Sequence, residues 1–138
     1  MLLIAAIVFL CIGGLVWLFW DSLSISLGLR TLKEFTREEL SEYDGRRKKE
    51  VYLGCKGYVF DVGKSQSYRP GAPYSIFAGR DATIGLAKMS LDPVDLETRD
   101  TSRLTETEVN TLEQWFKQFK EHYKYPIVGT LVNSRKGV

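Results

Sequence analysis

Two hydropathy patterns divide the chain. From Leu2 to Trp20 there is no charged residue. At a rise of about 1.5 Å per residue that stretch spans roughly 28 Å, close to the hydrocarbon thickness of a bilayer. Gly13-Gly14 would weaken a soluble helix but is tolerated in a membrane helix, and Trp17 and Trp20 lie at the end that would meet the interface. A cleaved signal peptide fits less well: there is no basic n-region, the apolar run is long, and only Ser22-Leu23-Ser24 resembles a cleavage site. Residues 1–20 are therefore read as a retained transmembrane anchor and residues 21–34 as a juxtamembrane spacer. Basic residues begin at Arg30 and Lys33, so the positive-inside rule puts the carboxy-terminal domain in the cytoplasm.

Residues 35–132 carry a mixed pattern. Thr36 and Glu39 stand at capping-box spacing, which predicts a short helix to about Tyr43, ended by Asp44-Gly45. Glu50–Leu53 and Gly57–Val62 are β-rich runs joined by Gly54-Cys55-Lys56-Gly57, a hairpin signal. Ser75–Gly79 is able to start a helix, and Arg80–Ala87 reads as a short one that Leu91-Asp92-Pro93 breaks. Thr105 and Glu108 form a second capping box, after which Val109, Leu112, Phe116, Phe119 and Tyr123 make one apolar stripe beside Trp115. Pro126 stops that helix, Ile127–Val132 reads as a last strand, and residues 133–138 are a polar tail. The fold class is α+β.

Composition narrows the function. All 19 Lys and Arg and all 17 Asp and Glu lie after the first twenty residues, so the domain is highly charged but nearly balanced, unlike a nucleic-acid platform. Arg46-Arg47-Lys48-Lys49 is the one basic run, readable as a solvated loop or as a lipid-headgroup or partner patch. Cys11 and Cys55 do not make a disulfide framework, which suits a reducing compartment. A single histidine, His122, argues against a zinc site or a Cys–His pair, and no phosphate-binding or dinucleotide fingerprint occurs. Hydrolase chemistry is a poor fit, and no enzymatic role is expected.

Phenols are the chemistry that remains. Tyr68 to Asp81, YRPGAPYSIFAGRD, holds two of the seven tyrosines and two of the four prolines. Proline fixes φ and restricts its predecessor, so Tyr74 emerges from a constrained loop, either as packing or presented to something. Tyr123 and Tyr125 flank Lys124 near the end of the long helix. Phenolate oxygen is one of the few protein ligands able to hold ferric haem, although a core or turn role is the commoner fate of a tyrosine.

The motif Tyr68-x-Pro70-x-x-Pro73-Tyr74-x-x-Phe77-Ala78-Gly79-Arg80-Asp81-Ala82, followed by Gly85-Leu86-Ala87, resembles the membrane-associated progesterone receptor family, a branch of the cytochrome b5-like fold. FTREELSEYDG, YVFDV and the closing KYPIVGTL extend the resemblance across Phe35 to Val132. It implies haem b, five-coordinate and ferric, with Tyr74 as the axial ligand. It implies that Tyr68, Lys124 and Tyr125 line the haem or bond to it and its ligand, and that Asp81 supports the loop. Arg69 and Ala72 stand where glycines are usual. Arg69 either meets a haem propionate or points to solvent, and Ala72 would be strained if its φ were positive. The implied role is an accessory protein for cytochromes P450 of sterol metabolism at the endoplasmic reticulum, or for haem handling, with a haem-mediated homodimer possible in relatives. The alternatives are a haem-free lipid, steroid or protein interaction module, and an electron carrier. The last would need two axial histidines.

Overall fold

The computed structural model describes residues 11–17, 19, 32–98 and 100–132. Residues 11–17 and 19 are helical, but the rest of the predicted anchor, most of the spacer and the tail 133–138 lie outside the described residues. Among the described residues no helix is long and apolar enough to cross a membrane. The chain divides into two units, residues 1–31 and 32–138, and the second holds everything below.

A four-stranded sheet forms the frame. Its strands are β1 (Lys33–Phe35), β2 (Tyr52–Cys55), β3 (Tyr58–Asp61) and β4 (Ile127–Leu131), in spatial order β1-β4-β3-β2. β1 runs parallel to β4, and the other two pairings are antiparallel. Lys33 and Glu34 thus belong to an edge strand, although the sequence pattern assigned them to the spacer. A three-residue strand has no periodicity to announce it, and its partner lies at the far end of the domain. The hairpin is tighter than its signal suggested. Cys55 pairs with Tyr58, leaving a two-residue loop of Lys56 (φ 53°) and Gly57 (φ 81°). Positive φ at both positions is the type I′ turn that matches strand twist.

Helices cover the sheet. α1 (Arg37–Ser41) starts where the Thr36 hydroxyl accepts from the Glu39 amide. α2 (Thr83–Lys88) ends at Met89, which adopts a left-handed conformation. Pro93 does not end it. Asp92 caps the amide of Val94, and Pro93 opens a further helix, α3 (Pro93–Glu97), in the first-turn position where its missing N–H costs nothing. Thr101–Arg103 is a single 3₁₀ turn. α4 (Glu106–Lys117) begins with both arms of the predicted capping box, Thr105 to the Glu108 amide and Glu108 to the Thr105 amide. It continues as a π-turn over Gln118–His122.

Val59 and Phe60, adjacent on β3, face opposite sides of the sheet as strand pleating requires. Phe60 joins the larger core with Leu53, Leu86, Leu112 and Phe119. Val59 joins a smaller one with Phe35, Leu40 and Leu131 beneath α1. The predicted stripe on the long helix is buried only in its middle. Leu112 and Phe119 are inside, while Val109 and Tyr123 are each 41% exposed. The π-turn carries an extra residue, which rotates the helix face and swings Tyr123 outward.

Gly129 is where β4 meets β1 most closely. A Cβ there would contact the Lys33 carbonyl oxygen and the Phe35 ring well inside van der Waals distance. Gly129→Ala should cost about 2–3 kcal/mol by overpacking, read as a lower urea midpoint. An unchanged midpoint would mean that β1 is not seated against β4.

Candidate haem site on a tyrosine loop

Two consecutive tight turns present Tyr74. Arg69-Pro70-Gly71-Ala72 closes with the Ala72 amide donating to the Arg69 carbonyl at 2.9 Å, and Gly71 has φ 82°. Pro at the second position and Gly at the third suit a type II turn. Ala72-Pro73-Tyr74-Ser75 follows, closed by the Ser75 amide on the Ala72 carbonyl at 3.1 Å. Tyr74 there has φ −106° and ψ 18°, near the bridge region that the third residue of a type I turn occupies. The left-handed position is Gly71, so Ala72 carries no such strain. Ser75–Phe77 makes one 3₁₀ turn, shorter than the helix its sequence allows.

The loop is tied down at both ends. The Tyr74 amide donates to the Ser67 carbonyl at 3.0 Å. Downstream, Gly79 donates to Tyr52, Gly54 to Arg80, and Ala82 to Gly54, which lays residues 79–82 along the outer edge of β2. Asp81 completes the join. Its Oδ1 accepts from the Thr83 hydroxyl at 2.6 Å and the Thr83 amide at 3.2 Å, and the Thr83 oxygen accepts from the Lys56 amide. Asp81 thus ties the end of the loop to the first turn of α2.

Tyr68 and Tyr74 differ in environment. Tyr68 is buried at 5% exposure, packed edge-on against Phe119, and its ring centre lies 6.2 Å from that of Tyr74. Tyr74 is 43% exposed and stacks on Phe77. Burial pushes the Tyr68 phenol well above its ordinary value, and the nearby phenols of Tyr125, Tyr123 and Tyr74 push the same way. Tyr68 is thus a neutral hydroxyl beside an exposed phenol. Cys55, also raised, to about 12 by burial first and Asp81 second, is a packed thiol and not a nucleophile.

The other wall comes from the end of the long helix. Tyr125 is buried, its ring 5.5 Å from that of Phe119, and Tyr123 stacks on it at 5.3 Å. Between them Lys124 has φ 51°, and the Tyr125 amide reaches back to the Phe119 carbonyl, a helix end that usually employs glycine. Lys64 lies over the Tyr125 ring at 5.4 Å. Of the expected residues, Tyr68, Tyr74 and Tyr125 form one aromatic group, with exposed Lys124 on its flank. Arg69 meets neither expectation squarely, because its guanidinium donates to the Gly63 carbonyl. Lys64 and Tyr123 were not on the expected list. The i, i+2 tyrosines around Lys124 were the only sign of the latter.

The donor set fits haem: an exposed phenol for iron, flat rings beside it, and two lysines for carboxylates. The cytochrome b5-like Heme/Steroid binding domain family matches residues 36–132. Human membrane-associated progesterone receptor component 2 is 43% identical over 115 residues, 81% of this chain and 51% of that protein. A probable steroid-binding protein 3 of Arabidopsis thaliana is 45% identical over 102 residues, 72% of this chain and 99% of that one. The solution structure of a putative steroid-binding protein from Arabidopsis superposes with a TM-score of 0.62 at 45% identity, covering 73% of this chain and 98% of its own. The chain belongs to the membrane-associated progesterone receptor family and has its cytochrome b5-like domain. It spans about half the length of the human relative.

Two measurements probe this geometry. Stability should be fully present below the ordinary thiol value of about 8.5 and fall as pH rises past it and past the ordinary phenol value of about 10, because the unfolded chain then binds fewer protons. Tyr68→Phe should flatten that fall in urea titrations, Tyr52 and Cys55 supplying what remains. Lys124→Gly should raise stability by about 0.5–1 kcal/mol, since it relieves the left-handed lysine. A loss would show the lysine side chain to be structurally needed.

Proposed function

We propose that the domain binds ferric haem b on Tyr74 and serves as an accessory protein, with no catalytic activity of its own. The observation that carries this reading is the pairing of an exposed phenol, fixed by two turns, with a buried neutral one beside it. Haem would supply a five-coordinate iron whose charge stabilises a phenolate. Tyr74 would hold that iron. Tyr68 would donate toward the phenolate oxygen, Tyr125 and Tyr123 would flank the ring system, and Lys64 and Lys124 would face its carboxylates. Arg69 is tied to Gly63 and is given no part in holding a propionate.

An anionic oxygen ligand favours Fe(III), and the sequence holds one histidine, so a two-histidine electron carrier is a poor match. The proposed role is support of cytochromes P450 of sterol metabolism, or haem handling, at an endomembrane such as the endoplasmic reticulum. The relatives' names speak of membranes and steroids, which is consistent with that setting. A homodimer stacked through the open haem faces is part of the proposal. Exposed Tyr74 and Tyr123 would lie at its seam.

The test is haemin titration of the full chain in neutral detergent. Wild type should give a high-spin ferric spectrum with a phenolate charge-transfer band. Tyr74→Phe should lose the band and weaken binding at least about tenfold, the loss of one charge-assisted ligand. Tyr68→Phe should keep the band but shift it. Unchanged binding by Tyr74→Phe would overturn the assignment and favour a haem-free steroid, lipid or protein interaction module.

A further inference from the structure

Behind the tyrosine loop lies a second feature. A cleft of about 310 Å³ separates the segment after α1 from the loop's reverse side, and its walls include Arg46, Arg47, Pro70, Ser75 and Arg80, with Asp44. Tyr74 does not line it. The two walls are packed together at their bases. A Cβ on Gly45 would meet Pro70 at 3.1 Å, and one on Gly79 would meet the Ser41 carbonyl at 3.1 Å and Asp44 at 3.2 Å. The opening is therefore built into the fold.

Its charge is one-sided. Three arginines and one aspartate are among the residues that line it. That carboxylate is engaged, because Asp44 Oδ1 accepts the amides of Arg46 at 2.8 Å and Arg47 at 2.9 Å. These bonds shape the arginine turn, and the Arg47 charge also acts on the carboxylate. Among the described residues, ion pairs within 4.0 Å use Lys33, Lys48, Lys56, Lys88 and Arg103, and none uses Arg46, Arg47 or Arg80. Like charges drawn from two distant segments repel one another unless an anion sits between them.

We propose that this cleft binds a phosphate group. A guanidinium offers two parallel donors that match phosphate oxygens, and three of them with the Ser75 hydroxyl suit a tetrahedral dianion better than a planar carboxylate. The phosphate could be soluble or could head a lipid. The site stands apart from the haem reading, although Ser75 directly follows Tyr74 in the chain.

Calorimetry on the full chain in neutral detergent tests it, with inorganic pyrophosphate and short-chain phosphatidic acid as separate probes. Binding of both probes assigns the site to the phosphate group itself, and binding of phosphatidic acid alone assigns it to a lipid headgroup. Arg47→Ala and Arg80→Ala should each weaken binding at least about tenfold, the loss of one charge-assisted contact. Arg103→Ala, a basic residue elsewhere, should leave it unchanged, and all three variants should keep the thermal midpoint. Absence of binding by both probes, or equal weakening by Arg103→Ala, would overturn the proposal.

Discussion

Three backbone hydrogen bonds between residues 79–82 and the edge of β2 underlie everything at the site. Without them the two-turn loop would be an excursion on the surface, free to sample many orientations at an entropic gain of ~1–2 kcal/mol per residue. With them, Gly79, Arg80 and Ala82 become part of the sheet, and the position of Tyr74 follows from that of Tyr52 and Gly54. Gly54 permits the approach. A Cβ there would come within 3.2 Å of the Asp81 backbone and 2.7 Å of a Leu131 methyl. The same attachment closes the outer edge of β2, a liability in any open sheet.

From that anchor the aromatic side chains divide by depth. Phe119 is fully buried and touches Phe60, Tyr68, Trp115 and Tyr125, joining the sheet core to both walls of the site. Tyr68 and Tyr125 stand one layer out, and Tyr74 and Tyr123 reach solvent. Polarity therefore rises from a hydrocarbon centre to phenols at the rim. A flat ligand with one polar edge would meet that gradient in the matching sense.

Much of this was legible in the residues. The Thr105/Glu108 capping box and the existence of the hairpin, though not its exact turn, are local, and local chemistry decided them. The tyrosine loop was legible because its prolines fix φ wherever they occur. Other features depend on partners that a sequence scan does not see. β1 exists because β4 lies beside it, and Val109 is exposed although it shares the spacing of buried Leu112. Pro93 reads as a helix stop in the sequence, and the Asp92 side chain makes it a helix first turn instead. The bond from Arg69 to Gly63 could not be foreseen, since a long side chain chooses among several acceptors by geometry alone.

The parallel pairing of β1 with β4 also governs how the domain is made. β4 is the last strand, and it lies between β1 and β3 at the middle of the sheet. While the chain is being synthesised, the hairpin and the short helices can form early, but β1 has no neighbour until residues 127–131 have left the ribosome. Nearly the whole domain must emerge before its first strand can dock, a loop closure of high contact order. Until then the small core of Phe35, Leu40 and Val59 lacks Leu131, and its apolar faces are open to the cell. Nascent chains should thus need shielding until β4 has emerged, and a ribosome stalled before residue 127 would hold a domain that has its tyrosine loop but no closed sheet.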